Sequence, residues 1–190
     1  MSWPFVQARN YTPVTGHRPA RLVVIHTMEA PEKPDTAEAV ARWFAGPHAP
    51  RASAHLCVDA DSVVQCVRLR DVAWAAPGAN RDGVQIELAG RAAQGAAGWR
   101  DPYSQAVLRW ASCAVAELVA LSRFAGQPIP VRHVTATEIV AGKSGICGHV
   151  DVTRAYHRST HTDPGPDFPW PDFLTMVAWW LPRIDRIDWR

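Results

Sequence analysis

Apolar and polar positions along the chain change period several times, and each change marks an element. Arg21-Leu-Val-Val-Ile-His26 is a continuous, β-branched apolar run, which predicts a strand buried on both faces. Before it, residues 1–20 hold Pro4, Pro13, Gly16 and Pro19 and read as an irregular arm. Between residues 35 and 46, Ala37, Val40, Ala41 and Phe44 fall at helical spacing; Asp35 is placed to cap the start of that helix and Gly46 its end. Residues 54–58 and 63–67 are apolar segments flanking Asp59-Ala-Asp-Ser62, the pattern of a hairpin. Val84-Gln-Ile-Glu-Leu88 alternates and closes on Gly90, so it predicts another strand, with alternation that could turn Glu87 to solvent.

After a glycine- and alanine-rich loop over residues 90–98, Asp101-Pro102 supplies an N-cap acid and a first-turn proline. The helix they open is predicted to run to about Phe124 and to stop at Gly126. Thr135-Ala-Thr-Glu138 is a capping box for a shorter helix. Residues 142–170, rich in glycine and proline, read as loop, and residues 172–180 as a last helix broken by Pro182. No segment repeats. Strands alternating with helices predict an α/β fold, with a single central mixed sheet flanked by helices.

Composition narrows the class. At 190 residues, 47% hydrophobic and 20% charged, the chain predicts one domain able to bury a core without metal or disulfide staples. No apolar run reaches the 18 residues or so that a membrane span needs, and residues 1–13 lack the basic-then-apolar order of a secretory signal. A net charge of +2 gives no argument for nucleic acid. Eighteen arginines against two lysines form no basic block. The four cysteines, Cys57, Cys66, Cys113 and Cys147, include no C-x-x-C pair and predict reduced, mostly buried thiols.

The histidines carry the candidate chemistry. His26 ends the apolar strand, where side chains project into a sheet-edge crevice. His149 lies in a glycine-flanked segment, and His161-Thr-Asp163 in a proline-rich loop. Two imidazoles and a carboxylate suit a catalytic zinc, which keeps three protein ligands and one open position. No short His-x-x-x-His helix motif accompanies them, so the residues alone leave a metal site and ordinary core or surface histidines as alternatives. Asp151 reads as a helix cap or a partner orienting His149, and His55 as a structural residue beneath the site. Trp74, Trp99 and Trp170 are candidates for lining a cleft.

Six short pieces then occur in one order: Val23-Val-Ile-His26, Ser53-Ala-His-Leu56, Val72-Ala-Trp74, Ile86-Glu-Leu-Ala-Gly90, Gly148-His-Val-Asp151 and Thr162-Asp-Pro-Gly-Pro166. In these the chain resembles the type 2 zinc-dependent N-acetylmuramoyl-L-alanine amidases, a family with phage, bacterial recycling and peptidoglycan recognition branches. It looks closest to the amidase modules of phage endolysins. The resemblance implies Zn²⁺ held by His26, His149 and Asp163, with Glu87 as the catalytic base. It places His161 where many members carry an oxyanion-stabilising lysine. This chain departs from the family pattern at Ala75, where a histidine is common, and at Ala54, where some phage members have tyrosine. It also holds a few extra residues over 155–160.

The implied organisation is an arm (residues 1–20), a zinc amidase catalytic domain (21–182) and a tail (183–190). The implied partner is bacterial peptidoglycan, cut between the muramic acid lactyl group and L-alanine by a monomer that neither enters a membrane nor binds nucleic acid. Such a protein would be made in the host cytoplasm without a signal peptide and act on the wall after release. The rival expectations are a non-catalytic peptidoglycan-binding protein of the same fold and a cytosolic muropeptide-recycling amidase.

Overall fold

The computed structural model describes residues 3–124 and 127–184; the expected stop at Gly126 and most of the C-terminal tail lie outside them. Seven strands and five α-helices follow in the order β1 (Tyr11–Thr12), β2 (Leu22–Thr27), α1 (Thr36–Ala45), β3 (Leu56–Val58), β4 (Val63–Gln65), β5 (Val72–Ala73), β6 (Gly83–Leu88), α2 (Pro102–Phe124), α3 (Ala136–Val140), β7 (Gly145–Gly148), α4 (His149–Tyr156) and α5 (Trp170–Ile184). Five strands form one mixed sheet ordered β4-β3-β6-β2-β7. β2 runs parallel to both β6 and β7, β3 runs parallel to β6, and only β3–β4 is antiparallel. The arm is less irregular than its prolines suggest, because β1 pairs with β5 and Val6 and Ala8 donate backbone hydrogen bonds to the segment of Gln65 and Cys66.

Every residue of β2 is buried, as its unbroken apolar run predicts. Successive side chains of a strand take opposite faces, and here the two faces have different tasks. Val23 and Ile25, with Val84, Ile86 and Leu88 of β6, pack beneath α2 and α5. Leu22 and Val24 pack on the other face with Ile139 of α3 and Val152 of α4. His26 continues that second set, and Gln85 and Glu87 are its counterparts on β6. The polar face of β6 is therefore not turned to bulk solvent but to the crevice between the sheet and the helices on the α4 side.

Local expectations fare unevenly. Asp101 caps α2 by accepting from the Ser104 N–H at 2.8 Å, and Thr135 and Glu138 complete their capping box. Asp35 does not cap α1: it sits at φ 69° with no side-chain bond to the helix. The buried Asp59 of the β3–β4 turn does so instead, its Oδ2 accepting from the Ala37 N–H at 2.8 Å while Oδ1 accepts from Ser62 N–H at 2.9 Å. Asp59→Ala would orphan these donors at once, so we expect a loss of about 2–4 kcal/mol in chemical denaturation. A change under about 0.5 kcal/mol would show that water replaces the carboxylate.

Two further expectations are corrected. The stretch over residues 142–170 contains β7 and α4, four and eight residues long and too short to announce themselves. α5 passes through Pro182 to Ile184. The carbonyl that proline leaves without a donor belongs to exposed Ala178 and can bond water, while buried Ile184 anchors the last turn. All four cysteines are free and buried, with Cys57 and Cys66 Sγ 3.7 Å apart.

Candidate active site

The site lies at the C-terminal ends of the parallel strands β6, β2 and β7, where loops leave room for a crevice. His26 on β2 is the register partner of Glu87 on β6, so the two side chains emerge on one face. β7 ends at Gly148, and the next residue, His149, opens α4. That abrupt strand-to-helix change is held by Asp151, whose Oδ2 accepts from the Gly148 N–H at 2.9 Å. Asp151 also bonds His133 Nε2 at 2.9 Å, and His133 stacks on Trp170. Asp151 is thus a cap, and the imidazole it bonds is that of His133. The Asp163 loop docks onto the same helix start, its carbonyl accepting from Val150 N–H at 2.9 Å. Only glycine fits at 148, because a Cβ there would lie 2.6 Å from Pro164 Cδ.

His26, His149 and Asp163 are 2%, 1% and 6% exposed, and one ligand atom from each lies within 4.8 Å of the others. His26 Nδ1 is 3.1 Å from Asp163 Oδ2, and His149 Nδ1 is 3.4 Å from Asp163 Oδ1. The trio could hold a metal ion. Two observations test the fit. His149 Nδ1 is buried without a hydrogen-bond partner, a costly state for a ring nitrogen unless something accepts its lone pair. His26 Nε2 bonds Gln85 Oε1 at 2.9 Å, which leaves Nδ1 for the centre of the trio. Nitrogen, nitrogen and carboxylate oxygen around one point are a donor set suited to zinc.

Charge in the pocket follows from the same contacts. Burial works against a charged His26, but the Asp163 carboxylate, aided by Glu87, outweighs it and raises the ring to about 8. Burial also opposes an ionised Asp163, yet the two imidazoles hold it well below the usual carboxylate range. Burial keeps His149 below its ordinary value. Glu87 is pushed up to about 7, chiefly by burial, with Asp163 and Glu29 adding to the rise against His26. Its Oε2 is buried with no partner.

All five residues expected at the site meet in one pocket of about 240 Å³. His161 stands at its rim, 63% exposed, with Nδ1 3.4 Å from Asp163 Oδ1 and its ring stacked on His149 at 4.3 Å between centroids. Beyond His161 opens a groove of about 710 Å³ that includes Arg51, Trp74 and Arg158. Trp74 is thereby placed beside the site, whereas Trp99 is core and Trp170 lies against His133. His55 is buried just before β3, its Nδ1 accepting from the Gln85 N–H at 2.9 Å.

A profile of the N-acetylmuramoyl-L-alanine amidase family matches residues 16–166. The chain belongs to that family. It is an amidase, of a family that acts on peptidoglycan. In its fold the amidase is similar to the Staphylococcus aureus hydrolase AmiA solved with its ligand, at 13% identity and a TM-score of 0.68 over 97% of this chain and 85% of that one. It is also similar to a selenomethionine derivative of AmpD, at 22% identity and 0.60 over 92% and 94%. A mutant endolysin from Bacillus subtilis matches at 14% identity and 0.55 over 93% and 99%. No curated protein matches the chain in sequence. Among the described residues of the amidase, no helix is long and apolar enough to cross a membrane.

Two groups beside the site escaped the sequence reading. Gln85 bonds His26, and Ser159 Oγ lies 3.2 Å from His149 Nε2 with Thr153 Oγ1 behind it at 2.5 Å. Gln85 had a signal, since it shares a strand face with Glu87. Ser159 had none: it belongs to the extra residues after α4, and nothing local says which way that turn folds.

Proposed function

We propose that this amidase is a zinc-dependent N-acetylmuramoyl-L-alanine amidase of endolysin type, with His26, His149 and Asp163 as ligands, Glu87 as base and His161 as oxyanion donor. The observation that carries the reading is the buried His26–His149–Asp163 trio beside a carboxyl whose inner oxygen has no partner. A zinc ion there would supply Lewis-acid polarisation of the amide carbonyl and of the attacking water. Glu87, raised towards neutrality by its burial, is suited both to take a proton from the attacking water and to return it to the leaving amine. His161, at the rim of the pocket with Nδ1 towards Asp163, can donate from Nε2 to the carbonyl oxygen as negative charge develops when that nitrogen carries a hydrogen. Arg51, Trp74 and Arg158 offer the groove two cations and an aromatic surface, a lining fitted to a peptide stem bearing carboxylates beside a sugar.

The open groove favours a polymer over a small muropeptide, and an endolysin stands among the structural relatives. Digestion of intact sacculi followed by mass spectrometry tests the reading. New L-alanine amino termini without new reducing sugars are expected, whereas new reducing ends alone would exclude amide cleavage. Activity on soluble muropeptides but not on sacculi would assign the recycling role.

His161→Ala is expected to retain zinc and to lower kcat by about 10²–10³, the usual cost of one oxyanion donor. His161→Lys should recover part of that loss. Loss of zinc from His161→Ala would make His161 a ligand and leave Asp163 as its supporting carboxylate.

A further inference from the structure

We infer that Gln85 is a positioning residue that fixes the His26 ring with its proton on Nε2 and so presents Nδ1 to the metal. The inference rests on the proposed role of His26 as a ligand. Gln85 is fully buried, an unusual place for an uncharged amide unless each of its polar atoms has a partner. Its backbone is held on both sides by His55, whose Nδ1 accepts from the Gln85 N–H at 2.9 Å and whose own N–H donates to the Gln85 carbonyl at 2.9 Å. Its side chain is oriented from outside the site: Nε2 donates to the Ala79 carbonyl at 3.2 Å.

That second bond decides the chemistry. With Nε2 committed to a carbonyl, which only accepts, the atom facing His26 at 2.9 Å is Oε1, another acceptor. The His26 nitrogen opposite it must therefore carry a hydrogen. Nε2–H donates, so the lone pair of the neutral ring falls on Nδ1, the atom beside Asp163 Oδ2. Gly83 makes the arrangement possible. A Cβ at that position would lie 2.6 Å from the Ala79 carbonyl oxygen and 2.8 Å from Gln85 Nε2, so any side chain there would push the amide off its anchor. The ring is thus oriented by a neutral group that is itself anchored on the backbone of the turn before β6, and the proton given up on binding metal is the one on Nδ1, with no exchange between the two ring nitrogens.

The test uses the full chain with zinc in competition with a chelator, and ¹⁵N-correlated NMR of the histidine rings in the zinc-loaded protein. Gln85→Met keeps length and apolar bulk but removes the acceptor. It is expected to weaken zinc binding about 10–100-fold, the usual effect of losing such a partner, with thermal unfolding in excess chelator close to that of the parent. Gln85→Glu, which still accepts from Nε2–H, should restore affinity to within about tenfold of the parent. Equal zinc affinity in Gln85→Met and the parent would overturn the inference. So would a parent protein whose zinc-loaded His26 carries its proton on Nδ1, a measurement that decides the matter even if Gln85→Met does not fold. A parent chain that takes up no zinc would instead refute the ligand reading, and the role of Gln85 with it.

Discussion

His149→Ala is expected to release zinc and abolish wall lysis together. His149 opens α4 at the end of β7, almost without exposure, with Nδ1 3.4 Å from Asp163 Oδ1 in a trio whose ligand atoms lie within 4.8 Å of one another. Alanine is compatible with the first turn of a helix, and the Asp151 cap that fixes this turn uses the backbone of Gly148 rather than the imidazole. The fold should therefore survive, and circular dichroism should show an unchanged helix content. Two donors remain, too few for a catalytic zinc held by three protein ligands. Elemental analysis of the purified variant should find no stoichiometric zinc, and turnover should fall by more than about 10³, the upper cost of a single oxyanion donor. Chelation of the parent protein should reproduce the loss, and added Zn²⁺ should reverse it only in the parent. A fully active, zinc-replete His149→Ala variant would remove this histidine from the ligand set.

Glu87→Gln should separate metal from chemistry. The substitution preserves shape and the partly buried position at the crevice, and it leaves His26, His149 and Asp163 in place. Zinc content should match that of the parent. Turnover should fall by about 10²–10⁴, the usual contribution of a positioned general base. The pH profile supplies a second check whose sign follows from the environment. Burial disfavours the charged form and lifts the carboxyl from its ordinary value to about 7. A base works only when deprotonated, so kcat/KM of the parent should fall as pH drops through that range. A bound cation nearby favours the carboxylate and moves the limb to lower pH, never higher. In Glu87→Gln the acid limb should disappear from what activity remains. Near-normal turnover in this variant would hand the base role to another group.

The relation of β2 to the site shows what a chain can announce locally. A β-branched run that is apolar at every position has one good solution, a central strand covered on both faces, and a polar residue at its end then belongs to the rim. His26 is legible for that reason. Glu87 was half legible: alternation correctly grouped it apart from Ile86 and Leu88, but alternation speaks only of faces. Whether the second face meets water or a crevice depends on α4, some 60 residues further along. His149, Asp163 and His161 were found through the order of short pieces and the family they resemble; spacing alone left them ambiguous.

What tertiary structure decided has a common cause, the need of short or polar segments for distant partners. Gly145–Gly148 is four residues with a glycine at each end, too little to specify a strand alone, yet β2 offers it an open edge, and the lack of a side chain at Gly145 admits the backbone of Arg132 and the side chain of Val134, which would lie within 2.8 Å of a Cβ. α4 is too short to be stable alone; Asp151 and the burial of Val152 hold it. The helix expected to be capped by its neighbour Asp35 is capped by Asp59, 22 residues away along the chain, because only a buried carboxylate already ordered by a turn can offer an oxygen at little entropic cost. The grouping around the candidate site follows the same logic: Gln85 meets His26 across 59 residues. Periodicity along the chain determined which residues share a face and where the central strand ends. Which polar groups meet at that end was decided by the packing of the whole sheet, since a hydrogen bond between side chains depends on positions that no single segment fixes.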